Sequence, residues 1–173
     1  MSVIPRTEIP NRYLSKRVSL GFDSVTYGGC GFELYKAEDL EAAQEEYGAM
    51  KGWRDQWIAI GHEMLFGDPI VIDRTEPHRV FRALAAPGMF GPAPASPSLA
   101  IFWDCLAIFR KFAAGRETFE GERANEPTEE EIERFKTDIR AASGDDEDAF
   151  GFWTLHAGID IEEEDDEDDN DLM

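Results

Sequence analysis

Runs of apolar residues are short in the first half of this chain and longer, with helical spacing, in the second. The densest stretch is Trp53 to Asp73, WRDQWIAIGHEMLFGDPIVID. Trp57, Ile58, Ala59 and Ile60 form a run too short for a helix and are closed by Gly61, which predicts a largely buried strand. Met64 to Phe66 reads as a second strand. Gly67, Asp68 and Pro69 read as a turn, since Gly tolerates positive φ, Asp bonds nearby backbone and Pro presets φ. Ile70, Val71 and Ile72 resume the sheet, so Trp57 to Ile72 is expected to be an antiparallel hairpin with Gly67 to Pro69 outside regular pairing. Each large apolar side chain here gains about 1.5 to 3 kcal/mol on full burial, enough for the block to seed a core.

Around this block, Phe32 to Tyr35 alternates apolar and polar residues as a half-buried strand does, and Arg79 to Leu84 reads as a further strand. Leu40, Ala43 and Tyr47 recur at helical spacing from Glu38 to Tyr47, with Glu38 and Asp39 suited to the N-terminal dipole and Gly48 as a stop. Ala85 to Pro97 carries too many Pro and Gly residues for an element and reads as an ordered loop over the sheet edge. A helix then starts at Ser96 with Pro97, or at Ser98. Its apolar residues, from Leu99 to Phe112, extend so far around that burial on two sides is expected. Thr128 and Glu131 make a capping box that opens a helix to about Ala142, and Asp146 to Ala157 predicts a shorter one anchored by Phe150 and Trp153. Met1 to Thr26 shows no clear element, and no long helix can begin before Pro10. Short connections between strands and helices gathered toward the ends predict an α+β fold, a mainly antiparallel sheet with helices packed against it.

A Trp-led strand, Ile60-Gly61, a short polar insert, Gly67-Asp68, a β-branched run and the closing Asp73 together resemble the central block of the SUKH superfamily. This group includes bacterial immunity proteins against polymorphic toxins and fungal cell-wall regulators. The strand Arg79 to Leu84, the loop after it, the helix from Ser98 and the Phe152-Trp153 pair fill the places that follow in such proteins. Ile9, Pro10 and Tyr13 stand where relatives carry a Leu-Pro pair and an aromatic, while the leading helix is missing or much shortened. The resemblance covers the middle half of the chain. It implies a non-enzymatic protein-binding role, with a cognate toxin as partner and occlusion of the toxin active site as mechanism. A regulatory or structural adaptor is the alternative.

The chain has 173 residues, 42% of them hydrophobic, which suits one domain over residues 1–158. The segment Ile159 to Met173 has ten carboxylates and no Lys or Arg, and is expected to be a disordered acidic tail. That tail carries half of the formal charge of -20, so the body is acidic too. Such a charge opposes direct binding to nucleic acid or an anionic membrane and favours a basic protein partner. The N-terminal SVIPRTEIPNRY lacks the apolar stretch of a signal peptide, and two cysteines make no disulfide framework, so the reducing cytoplasm is the expected compartment. Cys105 reads as a small buried hydrophobe.

Candidate chemistry is sparse. YGGCGFELY lacks both the Gly-Lys-Ser/Thr ending and the G-x-G-x-x-G spacing of phosphate loops, so its glycines read as a turn into the strand, and Cys30 as a small turn residue. An enzyme would draw on His62, Glu63, Asp68, Asp73 and His78, but their spacing matches no metal motif and turns collect polar residues anyway. Nothing local joins Cys30 to His156 as nucleophile and base. No metal, cofactor or catalytic residue is therefore expected. The partner-binding candidates are Glu41, Glu45 and Glu46 on the polar helix face and Asp55 and Trp53 before the central strand, with Trp53 as the candidate anchor. Trp57 is expected in the core.

Overall fold

The computed structural model describes residues 11–75, 77–86, 89–116 and 125–159. Along them run α1 (Asn11–Ser19), β1 (Ser24–Tyr27), β2 (Cys30–Leu34), α2 (Leu40–Gly48), β3 (Trp57–Glu63), β4 (Pro69–Asp73), β5 (Val80–Ala86), β6 (Met89–Ser96), α3 (Leu99–Ala113), α4 (Glu129–Ser143) and α5 (Glu147–His156). The strands form one antiparallel sheet in chain order, β1 to β6. The fold is α+β, as the sequence pattern implies.

Alternation gives this sheet two different faces. The inner face, carrying Val25, Tyr27, Phe32, Leu34, Ile58, Ile60, Ile70 and Ile72, belongs to the main core together with Phe102, Leu106 and Phe109 of α3 and Trp153 of α5. The outer face carries a smaller cluster of Trp57, Ala59, Val71 and Ala83. Most apolar side chains of α3 are buried against the sheet, α4 and α5, with Ile101 and Ile108 half-buried and Ala100 and Ala107 exposed. Burial pushes the Cys105 thiol up to about 12, with Asp104 adding to it, which leaves the thiol a packing group. The caps fall where the sequence puts them: Ser98 accepts from Ile101 N, Thr128 and Glu131 form the capping box, and Asp146 accepts from Ala149 N.

Several segments differ from expectation. Met64 to Phe66 is a turn, because the buried Glu63 carboxylate collects the backbone N–H groups of Leu65, Phe66 and Asp68 and bends the chain away from the sheet. Gly61 does not end β3. It pairs with Leu34 on one side and Ile70 on the other beside a bulge, and a Cβ there would lie 2.1 Å from the Glu33 carbonyl oxygen. Gly is used for close backbone approach, not as a stop. Gly67 and Asp68 lie outside pairing, whereas Pro69 pairs with His62 and begins β4.

The loop expected over Ala85 to Pro97 is largely strand, with β6 forming a hairpin with β5. β6 is an edge strand, where Pro92 and Pro94 need donate no ladder hydrogen bond on the open side. Cys30 is the first residue of β2, paired with Tyr27, and not a turn residue. In the N-terminal region, α1 starts directly after Pro10 and β1 follows it. The proposed stand-ins Ile9 and Pro10 lie outside the described residues, as do residues 160–173 of the expected acidic tail. Ile159, assigned to that tail, instead packs against the main core and donates its N–H to the Thr154 carbonyl at 3.0 Å.

Between β2 and β3 the paired register ends at Leu34, one more backbone bond runs from the Tyr35 N–H to the Ile60 carbonyl at 2.9 Å, and side chains take over beyond it. The Tyr13 hydroxyl lies 2.8 Å from the Tyr35 carbonyl and 2.9 Å from that of Ile60. Gln44 of α2 pairs with both backbone groups of Ala59, donating to its carbonyl at 2.9 Å and accepting from its N–H at 3.0 Å. A buried amide side chain thus replaces the missing neighbouring strand. Gln44→Leu would leave both groups without that partner, and is expected to cost about 2–3 kcal/mol in urea denaturation. A loss below about 0.5 kcal/mol would show that other groups satisfy Ala59 equally well.

Candidate functional site

The five polar residues of the central turns do not converge. Glu63 points inward and is fully buried, while His62, the next residue on the alternating strand, is half-buried on the outer face 3.9 Å from Glu33 Oε2. Asp68 lies 3.9 Å from Arg82 Nε. Asp73 accepts from the Thr75 N–H and hydroxyl at 2.8 and 2.6 Å, and His78 Nδ1 lies 2.9 Å from the Asp73 carbonyl oxygen. Among the described residues no group of three His, Cys, Asp or Glu side chains is placed to hold a metal ion.

Glu63 instead meets a residue far along the chain. Its Oε2 is 3.7 Å from His156 Nε2, and both side chains are fully buried. The other imidazole nitrogen, Nδ1, lies 2.7 Å from the Phe152 carbonyl oxygen, and the ring packs against Phe32 and Phe152. That carbonyl can only accept, so Nδ1 carries a proton and donates it there, while Nε2 faces the carboxylate from beyond hydrogen-bond distance. Burial works to raise the Glu63 pKa. His156 and the three backbone donors outweigh it and hold the carboxyl below its usual range. Full burial under α5 denies a substrate access to this pair, so its geometry is that of a clasp between the β3–β4 turn and the C-terminal helix.

The outer face is the accessible alternative. Trp53 stacks flat on Tyr47 with centroids 5.2 Å apart, and meets Trp57 at 5.4 Å and Phe90 at 5.6 Å edge to face. Tyr35 joins them through a 3.1 Å contact between its hydroxyl and that of Tyr47. Phe81 packs on the same cluster from β5. Trp53, Tyr47, Tyr35, Phe81 and Phe90 are all half-buried, so each presents ring surface while being held by neighbours. Such rigid amphipathic rings are the side chains that dominate binding energy at protein interfaces.

Exposed carboxylates lie in the same chain segments as these rings. Glu41, Glu45 and Glu46 on α2, Asp55 before β3 and Glu33 on β2 are exposed. Burial, then the Tyr47 hydroxyl and the negative charge of Glu46 and Glu33, push the Tyr35 pKa well above its usual value, so its hydroxyl stays neutral. Lys36, Lys51, Arg54 and Arg79 are exposed bases in the same segments. Of the predicted contact residues, Trp53 is therefore half-buried within an aromatic cluster and not a free-standing anchor, while the four acidic ones lie exposed in the segments around it. Tyr35, Tyr47, Phe81 and Phe90 complete the face and were not singled out by sequence reasoning. Tyr47 was legible only as an inward helix position, and Phe90 lay hidden in a stretch read as loop. No helix among the described residues is long and apolar enough to cross a membrane. Comparison with family models, with curated proteins and with solved structures finds no match to this chain.

Proposed function

We propose that this chain is a non-enzymatic immunity protein of the SUKH kind, which acts in the cytoplasm by laying the outer face of its sheet over the active site of a basic toxin domain. The observation that carries the reading is the half-buried cluster of Tyr35, Tyr47, Trp53, Phe81 and Phe90, set among exposed carboxylates at Glu33, Glu41, Glu45, Glu46 and Asp55. Opposite charge speeds encounter and penalises wrong partners, while desolvated aromatic anchors supply durable affinity. The formal charge of -20 supports a basic protein surface as partner, and disfavours nucleic acid or an anionic membrane.

Stopped-flow association with the cognate toxin domain across a salt series tests this. Association is expected to slow as salt rises, and Trp53→Ala is expected mainly to accelerate dissociation, by roughly tenfold or more if Trp53 is a hot spot. Salt-independent association, or full binding after Glu41, Glu45, Glu46 and Asp55 are changed together to Gln and Asn, would reduce the negative charge to a role in solubility.

A further inference from the structure

Resting on that reading, we propose that the outer face receives an arginine side chain of the partner on the ring of Trp57, and that the chain's own Arg54 occupies this seat in the free protein. The Arg54 guanidinium carbon stands 5.0 Å from the Trp57 ring centroid. Arg54 itself is exposed, while Trp57 is 1% exposed. The indole is therefore a ring with packed sides and a guanidinium over it. Trp53 meets the ring edge-on, and Ala59, Val71 and Ala83 form the apolar cluster around it.

Charge around the seat suits a cation. Asp73 is the direct cross-strand partner of Trp57, and Asp55 follows Arg54 in the chain. A planar guanidinium stacks on an indole and is more weakly hydrated than an ammonium, so arginine is preferred to lysine. Arg54 precedes β3 in a loop segment and can swing outward without breaking a strand. A partner arginine then replaces one cation–π contact with an equivalent one, and Arg54 is freed toward solvent. The self-contact lowers affinity for other guanidinium groups until it is displaced, which favours partners that bring additional contacts over loose cationic peptides.

The full chain can be tested with L-arginine amide, using L-lysine amide and glycine amide as comparisons and following the assigned Trp57 indole N–H resonance. In Arg54→Ala the resonance should shift saturably with arginine amide, about two- to fivefold more tightly than in wild type, the factor by which a surface cation–π contact biases an equilibrium. Lysine amide should bind more weakly, and Arg54→Lys should fall between wild type and Arg54→Ala. No saturable shift in a well-dispersed Arg54→Ala spectrum would overturn the proposal. So would equal affinity in wild type and Arg54→Ala, or a response that glycine amide reproduces. The amide titration needs no protein partner, so its failure leaves the salt-dependent binding of a basic domain standing. Failure of that binding, conversely, leaves the ring seat to be judged by the titration alone.

Discussion

Glu63→Ala is expected to destabilise the protein by about 3–5 kcal/mol, the penalty seen when one partner of a buried pair is removed. The carboxylate satisfies Leu65, Phe66 and Asp68 N–H at 2.8, 2.9 and 3.1 Å, and it faces the buried His156 ring. Its loss leaves the buried Asp68 N–H and the part-buried Leu65 and Phe66 N–H groups without this acceptor, and releases the turn from the C-terminal helix. Glu63→Gln keeps one acceptor oxygen, so its cost should be smaller. The two variants also separate charge from hydrogen bonding through pH. Because the folded-state pKa of Glu63 lies below the ordinary 4.5, its ionised form contributes fully above that value. The contribution is lost as pH falls through the folded-state pKa. Urea denaturation from pH 7 down into the acid range should therefore show a steeper loss for wild type than for Glu63→Gln. Parallel curves for the two proteins would remove Glu63 from the acid sensitivity of the fold.

Trp57→Ala is expected to cost a similar 3–5 kcal/mol, since the ring is 1% exposed and forms the middle of the outer cluster. Its removal takes away the edge contact to Trp53 and the apolar neighbours of Ala59, Val71 and Ala83. The cavity would open on a face covered less deeply than the main core, so partial collapse of Trp53 into it can bring the cost toward the lower figure. Guanidinium denaturation followed by circular dichroism measures the change. A loss below about 1 kcal/mol would place the indole at the surface and remove the outer cluster as a second core.

Elements whose causes are local were legible without a structure. The box of Thr128 and Glu131, the serine before α3, the isoleucine run of β4 and the helical spacing of α4 and α5 each arise within a few residues, where propensity, capping and periodicity act directly. The α+β class follows from their order, and so does the burial of Trp57, which lies inside an apolar run. Other features depend on what a residue meets far away. Gly61 could be read as a stop because nothing nearby reveals that the Glu33 carbonyl closes on it. Pro92 and Pro94 argued against a strand until β6 was seen to be an edge, and the apolar Met64 to Phe66 argued for one until Glu63 was seen to gather its backbone donors.

The candidate site divides in the same way. Exposed carboxylates on α2 and at Asp55 follow from amphipathic spacing and from their place before a strand, so an acidic surface and an α+β frame are legible in the residue pattern alone. That Tyr47 of α2, Trp53 of the loop before β3 and Phe90 of β6 share one patch, and that Glu63 and His156 close on each other inside, follows from long-range packing. Side-chain pairs of this kind depend on strand register and helix placement, which the whole chain sets by burying its apolar faces together. A local pattern reports which side chains seek burial, but not which partner each will find there.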